Sequence, residues 1–191
     1  MPSQDLNPAP ISLKAWFDAA YPDLRAIAQA CFSHESRDKS HTLTPTSLVH
    51  EAFVKLQRAE DRGTLQQLRR AQFFPAAARA MREVLVDHAR KRISRLSAEA
   101  HGSQARVALS GAEEGTRLID FGPSRAEEIL DLDAAITGLE RFDPEAARLV
   151  TLRFFAGLTV PVAAEVMGIG ESAAEGMWRA SRAWLARKLI R

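Results

Sequence analysis

Seven cationic side chains, Arg69, Arg70, Arg79, Arg82, Arg90, Lys91 and Arg92, crowd residues 69–92. The chemistry open to them is polyanion binding, because guanidinium groups pair with phosphate oxygens through forked, charge-assisted hydrogen bonds. Phe73 and Phe74 sit among them. Such rings either stack an unpaired base beside a cationic groove or pack into a core. No comparable set exists for making or breaking bonds. The five histidines are scattered, and no phosphate-cradling glycine loop, nucleophile elbow or HExxH-type motif occurs. Cys31 is the one cysteine. In its apolar run it reads as a buried thiol, and alone it forms neither an internal disulfide framework nor a cysteine-rich zinc site. The expected protein is not an enzyme and carries no metal and no cofactor.

The net charge of +2 conceals an asymmetry. Lys and Arg against Asp and Glu count 7 and 8 over residues 1–62, 8 and 2 over 63–95, 4 and 11 over 96–147, and 7 and 3 over 148–191. Two basic blocks flanking an acidic one are either two places of polyanion contact or solvated helix faces. The start MPSQDLNPAPISLKAWF lacks the basic and apolar segments of a signal peptide. No stretch approaches the ~20 apolar residues of a membrane span. A cytoplasmic protein is expected, with no membrane partner.

Helices must position these residues, since helical periodicity dominates and no strand pattern is convincing. Between Leu13 and Phe32, Pro22 splits the signal into two pieces. Thr44 is an N-cap with Pro45 at the first helical position. The helix it starts has an apolar stripe of Leu48, Val49, Ala52, Phe53 and Leu56, opposite Ser47, His50, Glu51, Val54 and Arg58. A third helix runs from about Pro75 to Ser94, with Ala77, Met81, Val84, Leu85 and His88 on one side and Arg79, Arg82 and Arg90 on the other. His88 on that apolar side reads as structural. Residues 97–125 read as a flexible, acidic linker with one short ordered stretch near Val107 to Leu109. A second helical block begins near Ala126, with Asp143 and Thr159 as caps and Gly157 and Gly168 as breaks. The fold expected is all-α, in two small helical domains joined by the linker.

The stretch LTVPVAAEVMGIGESAAEGMWRASRAWLARKLIR has the spacing of a helix-turn-helix. Ala164 permits a close crossing, Gly168 makes the turn, and Ile169, Ala174 and Met177 lock the second helix. A purely structural helical hairpin is the other reading. Ser172, Glu175, Arg179 and Arg182 are the candidate DNA-binding residues here. The arginines would hold phosphates, which fixes position rather than sequence.

Two motif sets then point the same way. HTLTPTSLVHEAFVKL with FFPAAARAMREVLVDHARKR resembles the core domain of extracytoplasmic-function (ECF) sigma factors, in the branch with TPTxLVHEA and ARAMRxxLVDHAR motifs. DPEAARLVTLRFFAGLTVPVAAEVMG with WRASRAWL resembles their promoter-binding C-terminal domain. The resemblance implies a region-two-like domain at 11–96, a linker at 97–125 and a region-four-like domain at 126–191. It implies core RNA polymerase and promoter DNA as partners, with an anti-sigma factor or a Ser/Thr kinase as regulator. By position, Ser47, His50, Glu51 and Val54 would dock on the polymerase clamp. The cations of residues 69–92 would serve the minus-ten element and the helix-turn-helix the minus-thirty-five element. In the linker, Glu113, Glu114 and Asp120 either mimic nucleic-acid charge or solvate a tether.

Two departures from the family are visible. Thr44, Thr46 and Ser47 stand where relatives often carry acids. They are either plain capping residues or phosphoacceptors whose added charge would suit a helix N-terminus. The recognition stretch ESAAEGM is acidic where relatives are usually basic. Glu175 would repel phosphates, or accept from cytosine in the major groove. A sigma-like regulator with weakened promoter recognition, acting by protein–protein binding, is therefore the alternative reading.

Overall fold

A computed structural model describes residues 12–32, 44–63, 69–99 and 125–189. The described residues form seven helices and no strand: α1 (Leu13–Phe32), α2 (Pro45–Asp61), α3 (Arg70–Glu99), α4 (Arg125–Phe142), α5 (Pro144–Phe155), α6 (Val160–Met167) and α7 (Glu171–Leu189). The body of the expected linker, the stretch near Val107 and the acids Glu113, Glu114 and Asp120 lie outside the described residues, as does the Cys31 side chain.

Local chemistry explains most helix starts and stops. The Thr44 hydroxyl accepts from the Ser47 amide at 3.1 Å, and the Ser47 hydroxyl receives the Thr44 amide at 2.7 Å. This reciprocal capping box satisfies two donors that α2 cannot pair internally. Asp143 caps α5 through the Ala146 amide at 2.9 Å, and Thr159 caps α6 through Val162. Each cap is followed by proline or by valine-proline, whose missing N–H costs nothing in a first turn. Gly168 closes α6 at φ 71°, a left-handed position that side chains with a Cβ disfavour.

Two expectations about proline need correction. Pro22 lies inside one continuous α1 rather than dividing it. Pro22 is exposed, and so is Asp18, whose carbonyl Pro22 leaves without an amide partner. Pro75 does not start the third helix, because α3 begins at Arg70. The carbonyl that Pro75 cannot bond is that of Ala71, and Arg148 of α5 donates to it at 3.4 Å.

Helix α3 is the centre of the molecule. One side carries the buried Ala77, Met81, Val84 and Leu85 of the expected stripe, but Ala78, Val86 and Ala89 are buried too. Helices α1 and α2 pack on α3, and so do α4, α5 and α6. A helix covered on two sides needs a wider apolar surface than one stripe provides. The buried residues of both helical blocks form one continuous core, with Leu24, Leu48, Phe73 and Met81 from the first and Leu132, Ile136, Leu149 and Leu152 from the second. The two blocks predicted from sequence are thus distinct in chain order while sharing a core.

Candidate nucleic-acid interface

The cations of residues 69–92 meet different fates. Arg69 and Lys91 are exposed. Arg79 is exposed and pairs along its own helix with Glu83 at 3.2 Å. Arg92 is half-buried. The expectation that Arg82 stands on a free face is corrected: its side chain is only 12% exposed, because α4 covers that side of α3.

The Arg82 guanidinium is held through two of its three nitrogens. Its Nε donates to Asp133 Oδ1 at 2.7 Å, and its Nη2 donates to the Asp133 carbonyl at 3.1 Å and to Thr137 Oγ1 at 2.9 Å. Glu140 lies 4.0 Å from its Nη1. Arg90, largely exposed, approaches the second Asp133 oxygen at 3.9 Å. Arg70 pairs with Glu165 of α6 at 2.8 Å and lies over the Phe74 ring. Three of the seven cations are therefore held by acids of the second helical block.

Sequence reasoning did not single out Asp133, Thr137, Glu140 or Glu165. A signal existed for the first three, since spacings of four and three residues put them on one face of α4. Nothing in the chain order ties that face to Arg82, 51 residues away.

The aromatic residues divide. Phe73 is fully buried and stacks on Trp16 with centroids 5.8 Å apart, so it is core. Phe74 is half-buried against Phe73. His88 is half-buried, and its Nε2 lies 3.0 Å from Glu51 Oε2, a bond that ties α3 to α2.

On α2, the buried Leu48, Val49, Ala52 and Leu56 face the core. His50, Glu51 and Val54 are exposed, and Val54 is one of two large exposed apolar side chains among the described residues. Ser47 is half-buried. Both Thr44 and Ser47 spend their hydroxyls in the capping box, whereas Thr46 is exposed outside it.

In the helix-turn-helix, Ala164 and Ala174 are buried at the crossing, while Ile169 and Met177 are half-buried. Ser172, Glu175, Arg179 and Arg182 are all exposed on α7. Trp178 is buried and belongs to the core. Arg153, another residue the sequence did not single out, lies 4.8 Å over the Trp178 ring and donates to the Leu158 carbonyl at 2.8 Å. Burial, and then the charge of Arg182, pull the Arg153 guanidinium below its usual range. It ties the turn between α5 and α6 to the Trp178 ring of α7. Among the described residues no group of histidines, cysteines or carboxylates could hold a metal ion, and no helix is long and apolar enough to cross a membrane.

A sequence profile for a family described as ECF sigma factor matches residues 11–191. Among curated proteins, none matches this chain. A solved structure, the sigma factor RpoE in complex with the anti-sigma factor NepR from Bartonella quintana, is similar at 19% identity with a TM-score of 0.37, covering 92% of this chain and 95% of that one.

Proposed function

Because the chain belongs to the ECF sigma factor family, we propose that it is an alternative sigma factor that binds core RNA polymerase and directs it to specific promoters. The observation that carries this reading is the match across residues 11–191, which takes in both the exposed α2 face and the helix-turn-helix. In this reading residues 11–96 form the region-two-like module, 97–125 the tether and 126–191 the region-four-like module.

The roles follow from exposure and charge. His50, Glu51 and Val54, with Ser47 at their edge, supply the polymerase-docking face of α2. An apolar Val54 ringed by polar groups suits a partner surface. The cations Arg69, Arg70, Arg79, Arg82, Arg90, Lys91 and Arg92 serve the minus-ten region, where separated strands require a positive surface. Arg179 and Arg182 hold phosphates beside the minus-thirty-five element. An anti-sigma factor or a Ser/Thr kinase is the regulator. Thr46 is the best-placed phosphoacceptor, because modifying Thr44 or Ser47 would sacrifice the cap. A phosphate at this first turn gains from the helix N-terminus.

One observation favours a second reading. Glu171 and Glu175 are exposed at the start of α7, where phosphates would approach. A sigma-like regulator with weakened promoter recognition, acting through protein binding, accounts for that acidity. Reconstituted transcription with core polymerase on a genomic library separates the two. Initiation at defined sites supports the first, and polymerase binding without initiation supports the second.

A further inference from the structure

We propose that Glu175 is a base-reading residue of α7 and selects cytosine at one position of the duplex lying along that helix. The proposal rests on the sigma-factor reading for the identity of that duplex as the minus-thirty-five element, while the chemistry of the choice stands by itself.

Three features support it. The first is placement. Buried Ala174, Trp178, Ser181 and Leu185 turn one side of α7 to the core. Buried Ala164 and the left-handed Gly168 set α7 behind α6 as the second helix of a helix-turn-helix. The side left exposed carries Ser172, Glu175, Gly176 and Arg179. In such a pair the early residues of the second helix meet base edges in the major groove. The second is clearance. A Cβ built on Gly176 meets nothing within 4 Å, and Ala173 and Ala180 are exposed beside it. Small side chains let the backbone approach closely, so a glutamate reaches a base edge. The third is availability. Glu175 and Arg179 stand four residues apart, a spacing at which acid and base pair along a helix. Among the described residues, however, no ion pair or side-chain hydrogen bond engages either.

A carboxylate only accepts hydrogen bonds. In the major groove guanine shows acceptors at N7 and O6, and thymine shows O4 and a methyl group, so neither offers it a donor. Adenine has a donor at N6 but sets the N7 acceptor beside it. Cytosine offers its N4 donor with no acceptor on the same base edge. The order of preference is cytosine, then adenine, with thymine and guanine last. Phosphate repulsion acts on every duplex alike. Glu175 thus lowers affinity overall and lowers it least where cytosine meets it, which is selection by repulsion as much as by attraction. The exposed Arg179 and Arg182, further along α7, hold flanking phosphates and offset the general loss.

The test compares full-length wild type with Glu175→Gln and Glu175→Ala. Glu127→Gln serves as control, since Glu127 is an exposed acid of α4 and carries the same charge change away from α7. Each protein, alone and with core polymerase, selects duplexes from a randomised library, and the bound duplexes are sequenced. Affinities for single-base variants of the best duplex are then measured by anisotropy. Wild type should select duplexes with cytosine at one shared position and bind about tenfold more weakly when thymine or guanine replaces it. Glu175→Gln should move the preference at that position to adenine, because an amide both donates to N7 and accepts from N6. Glu175→Ala should lose the preference there and nowhere else, and Glu127→Gln should match wild type. If one Glu175 variant fails to fold by circular dichroism, the other decides. Glu175 variants that keep the wild-type preference at every position overturn the proposal, as does an equal gain on all duplexes with no change in preference. Selection of no duplex by wild type in either setting overturns it too. Initiation from the selected duplexes is scored separately. A cytosine preference that follows Glu175 without any initiation leaves the proposal standing and removes the sigma-factor reading. Initiation at defined sites whose bases are indifferent to Glu175 does the reverse.

Discussion

At the scale of single residues, the recognition helix carries two side-chain choices that work against DNA binding or helix stability. Gly176 lies in the interior of α7, and a Cβ built there meets nothing within 4 Å. Gly176→Ala should therefore raise stability by about 0.5–1 kcal/mol, read as a higher thermal midpoint, because alanine surrenders less backbone entropy. Glu175 is exposed on the same helix. Replacing it with lysine should tighten duplex binding and steepen the slope of log affinity against log salt by roughly one, the signature of one added phosphate contact. At the other end of the chain, Thr44→Ala should cost about 1 kcal/mol by removing the capping bond to Ser47. Thr46→Ala should be nearly silent on stability, so a loss of polymerase binding in that variant alone would report a role in docking or modification. The identity of these caps was legible from residue type, because a cap needs only a short polar side chain at a fixed offset. The partner of Arg82 was not, since a contact across 51 residues depends on how helices are stacked.

At the scale of elements, α3 decides the architecture. Its expected stripe is present, yet its second buried side, with Ala78, Val86 and Ala89, packs into the rest of the molecule as well. Alanine marks such a side weakly, because it suits both a buried crossing and an exposed helix surface. This is why the expected stripe does not extend to that side. Ile136 of α4 is fully buried in the common core. Ile136→Ala should cost about 2–5 kcal/mol in a chemical-denaturation experiment, the range for a large-to-small change in a packed interior. The effect should reach the first block as well as the second, and hydrogen exchange in α3 should quicken in the variant. Proline also acts at this scale. Pro75 suits a helix start, but in α3 it lies inside the helix and the unpaired Ala71 carbonyl is answered by Arg148, a compensation from another helix.

At the scale of the whole molecule, the two blocks share one apolar core and should unfold together. Trp16 reports on the first block, and Trp178 and Trp184 on the second. Single-tryptophan variants should give coincident unfolding midpoints, and transitions separated by several degrees would show that the blocks melt independently. The charge pattern acts at this scale too. The acidic segment between the basic blocks, readable from composition, supplies Asp133 and Glu140 against the cations of α3. The Arg82–Asp133 pair should weaken as ionic strength rises, though less than an exposed pair would, because both side chains are largely sheltered from solvent.

The amino-acid sequence by itself determined the helical class, the caps and breaks, the helix-turn-helix spacing and the location of the cationic segment. These depend on periodicity and on side chains acting within one or two turns of their own position. Only the tertiary structure decided which cations face solvent, that Phe73 is core, that α3 is covered on two sides and that Asp133 answers Arg82. Those outcomes come from helix packing, where the burial of apolar surface chooses the neighbours and the polar groups must then find partners wherever packing has brought them.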